Sequence, residues 1–101
     1  MSIHVLGDEE TVLGFRLAGI RGTVAEPGEG AAEQFRALVG AKESKVLLIT
    51  ERLAAGMRPL VDTYRMRSTF PVVVEIPDAA GPMPGRRAIA DLIREAIGFQ
   101  V

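Results

Sequence analysis

The chain has 101 residues, 48% of them hydrophobic, which is the length of one domain with enough apolar mass for a real core. A formal net charge of -1 supplies no broad basic field to hold a phosphate backbone, so nucleic acid is not an expected partner. With no cysteine there is no disulfide framework, thiol nucleophile or thiolate metal site, a composition that suits a reducing cytoplasm.

The first residues, MSIHVLGDEE, lack a basic region followed by a signal-peptide core. No apolar run approaches the roughly 20 residues needed to cross a bilayer, so a soluble, unprocessed chain without direct membrane insertion is expected. IHVL (3–6) reads as a first strand. Behind it, Asp8 suits a helix N-cap, with Glu9 and Glu10 in the first turn against the helix dipole. Gly14 falls inside that helix, where it costs roughly 1 kcal/mol relative to alanine. Close approach of a sheet strand or a partner would explain it.

GIRGTV (19–24) reads as a weaker second strand. Ala31, Phe35, Leu38 and Val39 then form a helical stripe expected to end at Gly40. KVLLIT (45–50) is the third strand, and Thr50 can cap a third helix carrying Leu53, Met57, Leu60, Val61 and Tyr64 on one side. Pro59 predicts a kink or break near Ala55 to Pro59. FPVVVEI (70–76) is the fourth strand. VLLI and VVV are apolar without alternation, the pattern of parallel strands buried above and below.

After a linker rich in proline and glycine (77–85), the segment from Arg86 to Gly98 puts Ile89, Leu92, Ile93, Ala96 and Ile97 on one helical face. That stripe must be buried, either on the sheet domain or on a neighbour. The expectation is an α/β fold: a small Rossmann-like, receiver-like open parallel four-stranded sheet with helices on both faces, plus a C-terminal helix. Residues 1–76 make the domain, 77–85 the linker and 86–101 the helical tail.

Such folds hold ligands at the carboxyl ends of their strands, where Asp8, Glu9 and Glu10 lie. Neither G-x-G-x-x-G nor G-x-x-x-x-G-K-[ST] occurs, and three carboxylates repel a phosphate, so no nucleotide or other cofactor is expected. A phosphoryl-receiver domain is the alternative reading. It needs an aspartate at the end of the third strand and a lysine at the end of a later one, whereas the sequence has Thr50 and Glu51 at the first place and VEIP at the second. Asp8, Glu10 and Glu51 offer oxygen ligands without a full set of six, so no metal site is assigned. His4, the only histidine, reads as a strand-packing residue rather than a base, and no catalytic residue is assigned. RMR (65–67) and GRR (85–87) read as solvated helix ends.

Three stretches together, GDEETVLGFRLAGI (7–20), VLLITERLA (46–54) and FPVVVEIPDAAGP (70–82), resemble the signature of the F subunit of the V-type and archaeal A-type rotary ATPases. Thr11, Gly14, Phe15, Ala18 and Gly19 match T-x-x-GF-x-x-AG, Thr50, Glu51 and Arg52 match the ITER turn, and Glu75, Ile76 and Pro77 match EIP. The likeness covers nearly the whole chain, although Pro59 and the Ala54-Ala55-Gly56 run depart from the family's usually uninterrupted third helix. The resemblance implies a noncatalytic central-stalk rotor component that sits against the long coiled-coil D subunit and reaches the catalytic A and B subunits through its tail. It further implies coupling of ATP hydrolysis or synthesis to H+ or Na+ transport, tuned by the C-terminal helix, at a cytoplasmic site peripheral to the membrane. Phe15, Arg16, Arg52, Ile89, Leu92, Ile93 and Ile97 are then the candidate partner contacts.

Overall fold

The computed structural model describes residues 2–67, 70–79 and 81. Its elements run β1 (Ile3–Gly7), α1 (Glu9–Leu17), β2 (Arg21–Val24), α2 (Glu29–Ala41), β3 (Val46–Thr50), α3 (Glu51–Ala55), α4 (Arg58–Arg65) and β4 (Val72–Ile76). The four strands pair in parallel in the order β2-β1-β3-β4, with Val5 opposite Gly22 on one side and Leu48 on the other, and Leu48 opposite Val74. The chain moves one way from β1 to β2, then passes back over β1 to reach β3 and β4. Right-handed crossovers therefore place α1 on one face and α2, α3 and α4 on the other.

The main core lies on the three-helix face. Leu6, Leu47, Ile49 and Val73 point up from the strands into Phe35 and Val39 of α2, Leu53 of α3, Met57, and Val61 of α4. Phe35, Leu6, Leu47 and Ile49 are among the largest fully buried side chains. Full burial of each is worth ~1.5–3 kcal/mol before ordering entropy, so this layer dominates stability. Pro59 divides the third helix as expected: α3 stops at Ala55, and α4 restarts with the proline in its first turn, where a missing N–H costs nothing. The second helix runs one residue past Gly40, to Ala41, and ends on Lys42 in a left-handed conformation (φ 55°).

The other face departs from the sequence reading. Val5 is fully buried beneath α1, whereas Val72 and Val74 are 49% and 40% exposed. The run VVV suggests a strand buried on both sides, but β4 is an edge strand, and α1 lies over β1 and β2 on this face. Only Val73 of the three enters the main core.

Gly19 also falls outside β2. The Ile20 N–H donates to the Phe15 carbonyl and the Gly19 N–H to the Arg16 carbonyl, both at 2.9 Å, a Schellman closure of α1. It places Gly19 at φ 86°, where a side chain would be strained. Close approach applies instead at Gly7, where a Cβ would meet the Thr50 methyl at 2.8 Å, and at Gly22. A Cβ at Gly22 would fall 2.7 Å from methyl groups of both Val5 and Val12, so its absence lets α1 settle on β2. A Cβ at Gly14 would meet nothing within 4 Å, so sheet packing does not account for that glycine.

Candidate functional site at the carboxyl edge

Parallel α/β sheets bind ligands where strands end and helices begin. In this chain several groups at that edge bond to one another. Asp8 caps α1, one carboxylate oxygen accepting the Thr11 N–H at 3.2 Å and the other accepting the Thr11 hydroxyl. The Thr11 oxygen in turn accepts the Ala79 N–H at 3.1 Å, tying the first turn of α1 to the chain beyond β4. Thr50 is buried and caps α3 by accepting the Leu53 N–H at 3.3 Å. The Arg52 Nε donates to Asp78 at 2.6 Å. That hydrogen bond, with the aspartate's charge, raises the guanidinium pKa above its ordinary value. Three of the backbone donors at this edge, those of Thr11, Leu53 and Ala79, serve the chain itself.

Beside this edge sits a second polar cluster. The Glu75 carboxylate, 6% exposed, accepts both Nη groups of Arg58 at 2.6 and 2.9 Å and Nη1 of Arg65 at 2.9 Å. Arg58 also reaches Asp62 at 3.3 Å, and its pKa is raised chiefly by the Glu75 hydrogen bonds. Arg65, read from sequence as part of a solvated helix end, is thus an ion-pair partner.

The metal candidates do not assemble. Asp8 is committed to its cap, Glu10 is exposed on α1, and Glu51 is 4% exposed at the start of α3. Among the described residues no three histidine, aspartate or glutamate side chains converge. His4 lies at the other end of the strands, beside a hollow of about 560 Å³ that Ser2, Arg21 and Glu43 also line. Its Nε2 is 2.8 Å from the Thr23 hydroxyl, and its pKa is lowered first by burial and then by Arg21, with Glu43 opposing. The Ser2 hydroxyl donates to the Glu43 carbonyl at 3.2 Å.

Of the candidate partner contacts, Phe15 is partly buried and Arg16 exposed on the last turns of α1, near the amino ends of the strands. Arg52 is at the opposite, carboxyl edge and is engaged by Asp78. The structure therefore does not bring these three into one patch. Ile89, Leu92, Ile93 and Ile97 lie outside the described residues. Thr50 caps α3 as the sequence reading expects, and what that reading missed is the structural use of the other shared motifs: Thr11 as clamp, Gly19 as helix end and Glu75 as the anchor of two arginines. Asp8 three residues before Thr11, and glycine just after a helical run, were the local signals.

The fold and its edge define a Rossmann-like α/β domain that uses donors and acceptors at its strand carboxyl ends for internal ties. The chain belongs to the ATP synthase (F/14-kDa) subunit family, whose sequence model matches residues 3–95. It is 36% identical to the A-type ATP synthase F subunit of Pyrococcus furiosus, over 100% of this chain and 98% of that protein. It is 35% identical to the A-type ATP synthase F subunit of Methanothermobacter thermautotrophicus, over 99% and 95%. With the corresponding F subunit of Methanocaldococcus jannaschii the identity is 33%, over 100% and 99%. Among the described residues no helix is long and apolar enough to cross a membrane.

Proposed function

We propose that the chain is a noncatalytic central-stalk component of a V/A-type rotary ATPase. In this reading it sits against the coiled-coil D subunit, reaches the A and B subunits through residues 86–101, and is peripheral to the membrane on its cytoplasmic side. The observation that carries the reading is the internally tied carboxyl edge, where Thr11 joins Asp8 to Ala79 and Arg52 joins Asp78. A nucleotide-type sheet whose ligand edge is used for internal bonds supports a transmitting role over a chemical one. A part of a rotor must keep its shape under load, and ties between elements far apart in sequence serve that purpose. Its contribution to coupling ATP turnover with H+ or Na+ movement is then mechanical.

Two measurements test this. Calorimetry of the isolated chain with Mg-ATP is expected to give no binding heat, and complexes rebuilt without the chain are expected to lose coupling between ATP turnover and ion transport. A micromolar, Mg-dependent ATP site, or a stable acyl phosphate formed with a small phosphodonor, would overturn the reading.

A further inference from the structure

The flank of the three-helix layer carries a groove that the carboxyl edge does not use. It runs between α2 and α4 with a volume of about 530 Å³. Phe35, Val39 and Leu60 form its apolar floor, and Arg36, Lys42 and Arg67 stand on its rim. All three cations are exposed, and among the described residues no carboxylate lines the groove. Among the same residues none of the three cations belongs to an ion pair, while nearby Arg58 and Arg65 are both committed to Glu75. The hollow at the strand amino ends contrasts with this, since it carries Arg21 and Glu43 together and so selects neither sign.

We propose that this groove docks an acidic amphipathic helix of a partner protein in the same complex. The proposal rests on the reading of the chain as one part of a larger ATPase and names where one neighbour attaches. Charge complementarity sets the sign of the occupant. The apolar floor sets its kind, because a free phosphate gains nothing from Phe35, Val39 and Leu60, whereas a ridge of Leu, Ile or Met does. The walls are two helices, whose side-chain ridges accept a third helix between them. The eight residues of α4 span about 12 Å, so some two turns of the partner fit, its carboxylates flanking the apolar ridge. The Phe35 and Tyr64 rings meet edge to face at 5.9 Å and hold the floor in place before docking. The chain's own segment from Arg86 to Gly98 has three arginines against Asp91 and Glu95, the wrong balance for this rim.

The test uses the full chain and each soluble subunit of its complex, immobilised singly, with affinity measured across a salt series. The triple variant Arg36→Gln, Lys42→Gln, Arg67→Gln removes only exposed charges and should melt like the parent. It is expected to bind one of those subunits about tenfold more weakly and with a flatter salt dependence. The charge-keeping triple Arg36→Lys, Lys42→Arg, Arg67→Lys should largely restore binding. Neutralising Arg21, exposed on the far edge strand β2, should change nothing. Unchanged affinity and salt response in the neutral triple, with the parent binding normally, would overturn the groove assignment and leave the rotary-ATPase reading intact. A parent that binds none of the subunits would overturn both. A dimer of the isolated chain that the neutral triple abolishes would assign the groove to a second copy instead.

Discussion

Arg58 grips Glu75 through both arms of its guanidinium, at 2.6 and 2.9 Å, across the junction of α4 and β4. A bidentate, charge-assisted pair of this kind fixes orientation as well as distance. With Arg65 on the same carboxylate, it holds the short α4 against the edge strand that α4 leads into.

The first prediction follows from the burial of that carboxylate. Glu75→Gln leaves two arginines facing an amide and should destabilise the domain by about 1–3 kcal/mol, read from urea unfolding. Arg65→Gln removes the more exposed partner and should cost less, about 0–1 kcal/mol. Equal effects from the two variants would show that Arg58 is not the principal partner.

The second prediction separates two glycines. Gly22→Ala forces a methyl against Val5 and Val12 and should cost about 1–3 kcal/mol. Gly14→Ala enters open space on a helix and should add ~1 kcal/mol to the isolated chain. If Gly14→Ala stabilises the chain and yet weakens its assembly with other subunits, a partner lies on that face of α1.

The parts of this fold that were legible in sequence are those settled by neighbours in the chain. Asp8 and Thr50 cap helices that begin at the next residue, and Pro59 interrupts its own helix. Glu75 was legible only as a family letter, because its arginines sit 17 and 10 residues away and are brought to it by the turn from α4 into β4. The burial of VVV was misread because strand order is a long-range property, and an edge strand differs from a central one by what lies beside it. Gly19 was ambiguous for a local reason. Glycine opens a strand as readily as it closes a helix, and only the two hydrogen bonds back to Phe15 and Arg16 decide between them.

The third prediction concerns pH. Burial, then Arg21, lowers the His4 pKa below its ordinary 6.5 in the folded state. The unfolded chain therefore takes up that proton first. Stability should fall as pH drops from 6.5 through the lower folded value and level off beneath it. His4→Gln keeps a side chain able to bond Thr23 and cannot titrate, so its stability should be flatter between about pH 5 and 7. Parallel pH profiles for parent and variant would show that another group carries the acid sensitivity.

The last prediction concerns the tail and where to cut it. Asp78 is held by Arg52, Ala79 by Thr11, and the Gly81 N–H donates to the Asp78 carbonyl at 2.9 Å, so the first residues after β4 are tied to the domain. The tie to Thr11 leads the chain toward α1, the side on which Val72 and Val74 stand exposed. A chain ending at Gly81 keeps all three ties and should give the circular dichroism of a folded α/β domain. A chain ending at Pro77 loses them and should be less stable by a further ~1–3 kcal/mol. On the proposed reading of the chain as part of a rotor, the apolar stripe that the sequence puts at Ile89, Leu92, Ile93 and Ile97 would be buried on this open sheet face or on a neighbouring protein, and exchange between the two would set the rate. Complexes rebuilt with the Gly81-ended chain should therefore assemble and show an altered ATPase rate or altered coupling to ion transport. Val74→Lys in the full chain should shift the rate the same way if the sheet face is one of the two places, since a charge there opposes that docking and leaves the partner site untouched. An unfolded Gly81-ended chain would make the tail part of the core. A folded one with an unchanged, fully coupled rate would remove the tail from regulation.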